Sequence, residues 1–226
     1  MSKALIGKSV RDVMSTFESD PKAKVEVLGR MVSGESLLKK LQEAIYLVKS
    51  HLNGLIEEFD LNEIFFAQLE KNVAASVLGN GKIKLDFKML FHPVSRLAMV
   101  LTHELLHDKG KVPKDELVDA MVANFFPEGV MDSAYDAEEV LNFAKTAGMK
   151  IEELWQLYRK GQFRSIYIIY AANTGNKKAA LEEMQRVFPE LTFTEKVDVG
   201  WTVKEPKFKG VTKVREETAR NVAEAA

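Results

Sequence analysis

Leu97-Ala-Met-Val-Leu-Thr-His-Glu-Leu-Leu-His107 is the stretch on which the reading of this chain turns. His103 and His107 are four residues apart, so on a helix they share a face and both offer an imidazole nitrogen to one zinc ion. Glu104 falls one step round that helix, beside the metal rather than on it, where its carboxylate takes a proton from water that the metal acidifies. That combination is the chemistry of peptide hydrolysis. The apolar positions Val94, Leu97, Ala98, Leu101, Leu105 and Leu106 follow helical spacing from Pro93 onward, and Lys109-Gly110 marks the stop. The two histidines are therefore expected in the last two turns, where a helix leaves a buried wall and opens on a cleft.

Catalytic zinc takes three protein ligands and keeps one position open. The only other histidines, His51 and His92, lie upstream, so the third ligand is sought in the next helical stretch, Val112 to Pro127, which has acids in its first turn and a proline at each end. Its donors are Asp115, Glu116 and Asp119, each of which also suits a solvated first turn favoured by the helix dipole. Glu116 is the expected ligand because its longer side chain reaches an adjacent helix more easily. Asp119 then orients a ligand from behind.

A strand, a helix ending in His-Glu-x-x-His, a short loop and a second helix with an acidic ligand make a pattern that resembles the gluzincin metallopeptidases, and within them the ImmA/IrrE group. The resemblance runs from about Lys82 to Gly161. It rests on Gly81-Lys-Ile-Lys-Leu-Asp-Phe87, the motif itself, Glu116 ahead of Phe125-Phe-Pro127, and the later segments Val140 to Ile151 and Leu154 to Gly161. It implies a zincin-like core, Zn2+ as cofactor held by His103, His107 and Glu116, and Glu104 as the catalytic residue. It also implies a regulatory role, with a transcriptional repressor as the kind of target.

Composition narrows the function classes. The 32 basic and 33 acidic residues give no bulk attraction to nucleic acid or to a membrane surface, so neither is an expected partner. Cysteine is absent, which excludes disulfides and thiolate ligands. The first residues lack the apolar core of a signal peptide and no stretch is apolar enough to span a bilayer, so a cytoplasmic protein is expected. The expected partner is a protein or peptide substrate in extended conformation, and the sequence carries no signal for oligomeric state. The alternative is a non-catalytic metal-binding regulatory or interaction module on the same fold. The intact Glu104 favours the enzyme.

The expected fold is α+β and mostly helical, with a helical region at 1–72, a zincin-like core with a small antiparallel sheet at 73–161, and an extension with a loosely ordered tail at 162–226. The apolar stripe Leu37, Leu41, Ile45, Val48, Leu52, Leu55 and Phe59 predicts one long amphipathic helix, with His51 as a surface or packing residue. Shorter helices are expected at 10–17, 23–32 and 61–69. Residues 73–78 and 82–90 read as strands around the Gly79-Asn-Gly81 turn, the second offering an edge to an extended peptide. Residues 129–136 read as a loop, 137–147, 151–160 and 177–188 as helices, 163–172 as helix or strand, and 192–203 as a strand pair. Tyr135, Tyr158, Tyr167, Tyr170 and His92 are the candidates for stabilising a transition state.

Overall fold

The computed structural model describes residues 5–27, 30–71, 73–127, 134–189, 192–196 and 200–204. The chain is α+β and mostly helical, and it divides into two compact units, Met1–Ala134 and Tyr135–Ala226, a boundary that falls inside the expected 73–161 segment.

In the first unit, α1 (Val10–Ser19) begins at a capping box in which the Ser9 hydroxyl accepts from the Asp12 N–H at 3.0 Å. Residues 23–32 are not the expected helix. They contain an antiparallel hairpin of β1 (Lys24–Val27) and β2 (Arg30–Ser33), in which the β-branched Val25 and Val27 are two apart, as in a strand, and Val25 lies opposite Val32. Then α2 (Gly34–Leu52) buries Leu37, Leu41, Ile45, Val48 and Leu52 along one face. It starts at glycine because a Cβ there would lie 2.5 Å from Phe17 Cδ1. The apolar stripe outlasts the helix, which stops at Asn53-Gly54, where Gly54 takes a positive φ of 76°.

Residues 61–69 also depart from expectation. A 3-10 turn, Leu61–Glu63, is capped by the Asp60 carboxylate and leads into β3 (Ile64–Ala67), whose Ile-Phe-Phe core suits a pleated, half-buried surface. After β4 (Ala75–Val77) the chain turns at Gly81, with φ 77°, into β5 (Ile83–Asp86). The strand order is β3-β5-β4, with β3 parallel and β4 antiparallel to β5, so the sheet is mixed rather than purely antiparallel. Consequently β5, expected as the open edge, is central. The outer side of β3 is covered by the N-terminal segment, where Gly7 N–H donates to the Phe66 carbonyl at 2.8 Å and Phe66 N–H to Lys8 at 3.0 Å.

The alternation expected through Met89 ends at Asp86. Its buried carboxylate accepts from Leu69 N–H and Lys88 N–H at 2.9 and 2.8 Å, which starts a 3-10 helix at Phe87–Phe91. Next come α3 (Val94–Asp108) and α4 (Asp115–Phe125). The central helix α3 packs on α2, α4 and β4, burying Leu97, Ala98, Met99, Leu101, Leu105 and Leu106. At about 1.5–3 kcal/mol for each large aliphatic side chain, this burial is what fixes the helix carrying the histidines. His51 stacks on Phe125 with ring centroids 4.9 Å apart, a packing role as expected.

The second unit contains α5 (Ala134–Thr146), α6 (Ile151–Arg159), α7 (Phe163–Thr174), α8 (Lys177–Val187) and an antiparallel pair, β6 (Thr192–Lys196) and β7 (Gly200–Lys204). The segment 163–172, open between helix and strand, is helical. Phe143 stacks on Tyr170 at 4.5 Å and meets Phe188 edge-on at 5.4 Å, which makes the core aromatic. Part of the expected 129–136 loop and the tail beyond residue 204 lie outside the described residues. Among the described residues, no helix is long and apolar enough to cross a membrane.

Candidate metal centre

The helix expected to carry the motif forms, and both histidines fall in its last two turns. Their Nε2 atoms face each other at 3.1 Å. The opposite nitrogen of each ring is engaged. After α3 the chain doubles back through Lys111, a non-glycine residue with φ 55°, and this carries the Val112 carbonyl to 2.8 Å from His107 Nδ1. A carbonyl only accepts, so the ring donates from Nδ1 and its Nε2 carries a lone pair. His103 Nδ1 lies 2.9 Å from Oδ1 of Asp119, whose side chain is 2% exposed. The N–H is not aimed straight along that line, so the contact is a close charge pairing more than a linear hydrogen bond.

Asp115 stands one helical turn before Asp119, on the same face of α4. Its Oδ1 is 3.0 Å from His107 Nε2, and His103, His107 and Asp115 place one donor atom each within 4.8 Å of one another. Glu116 is one step round the helix and pairs instead with Lys114 at 3.8 Å. Of the three acids weighed from sequence, the structure thus brings Asp115 to the two imidazoles and Asp119 behind one of them, and leaves Glu116 outside. A sequence signal for this existed, since Asp115 and Asp119 repeat the four-residue spacing of His103 and His107. Asp115 is short but needs no reach, because α4 starts beside the end of α3.

Glu104 is half-buried and points toward the sheet, where its carboxylate accepts a hydrogen bond from the Val77 N–H of β4. Burial raises its pKa above the ordinary carboxylate value and Asp115 adds to this, while His103 and the Val77 N–H pull the other way. Burial opposes a charge on His103. Contact with Asp119 and the charges of Asp119, Glu104 and Asp115 outweigh it and hold this imidazole above its usual pKa. His107 is pushed down, by burial first and by its charged neighbour His103 second.

The donor set fits a divalent ion. Two imidazole nitrogens and a carboxylate are a catalytic zinc set, and a tetrahedral ion would separate neighbouring donors by about 3.3 Å. The two separations from His107 Nε2, 3.1 and 3.0 Å, are close to that, the His103 and Asp115 donors lie within 4.8 Å of each other, and three such ligands would leave a fourth position open.

Of the residues weighed for transition-state stabilisation, Tyr158, Tyr167 and Tyr170 belong to the second unit, where Tyr158 and Tyr170 are buried among aromatic rings. The side chain of Tyr135 is outside the described residues. His92 stands in the first unit, just before α3. No family model, curated protein or solved structure matches the chain.

Proposed function

We propose that the chain is a zinc-dependent peptidase with a zincin-like core, acting in the cytoplasm on extended protein segments. The ion is held by His103, His107 and Asp115, a variant of the gluzincin pattern in which aspartate replaces the expected Glu116. One observation carries this reading. His107 Nε2 has His103 Nε2 at 3.1 Å and Asp115 Oδ1 at 3.0 Å, all three donor atoms lie within 4.8 Å of one another, and the far side of each imidazole already faces Val112 or Asp119. Acceptors crowded together with too few protons between them call for a cation.

Bound zinc supplies Lewis acidity at the open position. Glu104 takes up the proton that hydrolysis releases and returns it to the leaving amine, and the burial that raises its proton affinity suits it to both steps. The edge of β4 positions the substrate. Leu78 N–H donates to Lys82 and Ala74 accepts from Asp86, so the even positions of β4 face β5. The backbone groups of Ala75 and Val77 turn the other way, toward α3. Apart from the Val77 N–H held by Glu104, they are placed to pair with an extended peptide laid beside the motif.

The test compares zinc-loaded wild type with Glu104→Gln on a library of unstructured peptides. The variant should keep its zinc and lose about 100-fold or more in kcat, since an amide accepts no proton. Equal turnover by both forms refutes the mechanism. Zinc binding without hydrolysis by wild type would instead assign a non-catalytic metal-binding module.

A further inference from the structure

The three-stranded sheet carries its charge in an unusual place. Lysine guards edge strands against pairing with other chains, and it is depleted from strand interiors. Here the edge strand β4 reads Ala75-Ser-Val77, with no charge and no proline, so it is unguarded. The lysine stands one strand further in. Along the central β5, Ile83 and Leu85 are buried and Lys84 between them is exposed. The register sets Lys84 between Phe65 of β3 and Ser76 of β4. Paired residues point to the same face of a sheet, so Ser76 shares the solvent face of Lys84, while Ala75 and Val77 share the buried face of Leu85 and Ile83.

The neighbours of Lys84 on that face are already engaged. Lys82 has its ammonium over the Phe65 ring, 5.3 Å from the centroid, on the β3 side. The Asp86 carboxylate accepts from the Leu69 and Lys88 amides. Among the described residues the Lys84 ammonium has no ion pair, ring contact or hydrogen bond. Neighbouring strands lie about 4.8 Å apart, so a strand added to β4 would run about 10 Å from β5. Ser76 is the residue in between, and it is too small to obstruct. Two long side chains, a lysine and a glutamate, meet across it.

We infer that Lys84 is a specificity determinant that recognises an acidic side chain of the substrate, at the second residue from the scissile bond on one side. The inference rests on the peptidase reading for its register. The Val77 N–H holds Glu104, so the scissile bond lies beside Val77, and the next substrate residue along the strand lies beside Ser76 with its side chain on the solvent face. An unguarded edge thus admits any extended backbone, and the cation behind it selects by charge.

Zinc-loaded wild type is assayed on neutral unstructured peptides in which one position at a time carries Glu, Gln or Lys. The readout is the ratio of kcat/KM within each set, so a general change in activity cancels. Glu should be favoured over Gln about threefold at the second residue on one side, with Lys disfavoured there, and added salt should shrink the preference. Lys84→Glu should invert it, favouring Lys at the same position, whereas Lys82→Gln should keep it. A wild type without such a preference, a preference that survives in Lys84→Glu, or one lost in Lys82→Gln would overturn the inference and leave the peptidase reading standing. Binding of the same fluorescent peptides to zinc-loaded Glu104→Gln gives a readout without turnover. Glu-dependent binding that inverts in Glu104→Gln/Lys84→Glu, with no hydrolysis by wild type, keeps the determinant and removes the peptidase. Binding indifferent to charge, or no binding, overturns the determinant.

Discussion

Asp119 holds His103 from behind, with 2.9 Å between its Oδ1 and the ring's Nδ1, and this contact decides which nitrogen faces His107. The carboxylate is almost wholly buried, so it meets the imidazole with little competition from water. Carboxylates placed behind a metal-binding histidine fix its tautomer and raise its basicity. Asp119→Asn should therefore weaken zinc binding about 10- to 100-fold while leaving the stoichiometry unchanged. Titration against a competing chelator measures this, and unaltered affinity would show that the pair is merely structural.

Thr102 precedes the motif and is fully buried, and its hydroxyl has no hydrogen-bond partner among the described residues. A buried hydroxyl left unmatched costs free energy that an apolar group of the same shape does not. Thr102→Val should therefore stabilise the first unit by about 1 kcal/mol, read as a higher urea midpoint at unchanged slope. A lower midpoint would mean that the hydroxyl is satisfied in solution.

The motif helix was legible because motif, periodicity and stop signal agreed on one element. The third ligand was less so. Reach favoured Glu116, whereas the outcome depends on where α4 starts relative to α3, a tertiary distance that places the shorter Asp115 against His107. Short apolar segments misled for a related reason. Ile64-Phe-Phe-Ala67 is too brief for its periodicity to tell helix from strand, and only pairing with β5 decides it. The stripe through Leu55 and Phe59 continued past Gly54, whose backbone freedom ended the helix regardless of what followed.

In the second unit, Arg186 of α8 contacts Glu183 at 2.6 Å and Glu139 of α5 at 2.7 Å. The hydrogen bond from Arg186 holds the Glu183 carboxyl below its ordinary pKa of 4.5. A depressed folded pKa contributes stability that is whole above about pH 4.5 and is lost as pH falls through the lower folded value. Solvent screening keeps this below about 1 kcal/mol. Hydrogen exchange of the α8 amides should thus accelerate between pH 5 and pH 3, after correction for intrinsic rates, more in wild type than in Glu183→Gln. Equal acceleration in both would contradict the pairing.

The central claim is that His103, His107 and Asp115 together hold one divalent ion. Isothermal titration of zinc into chelator-treated protein tests it most directly, with wild type, His103→Ala, Asp115→Ala and Glu116→Ala compared side by side. The arrangement at the end of α3 predicts about one zinc per chain in wild type, loss of that site in His103→Ala, and an affinity reduced by about 100-fold or more in Asp115→Ala. Glu116→Ala should bind as wild type does. Full occupancy in His103→Ala, or loss of zinc in Glu116→Ala with Asp115→Ala unaffected, would contradict it.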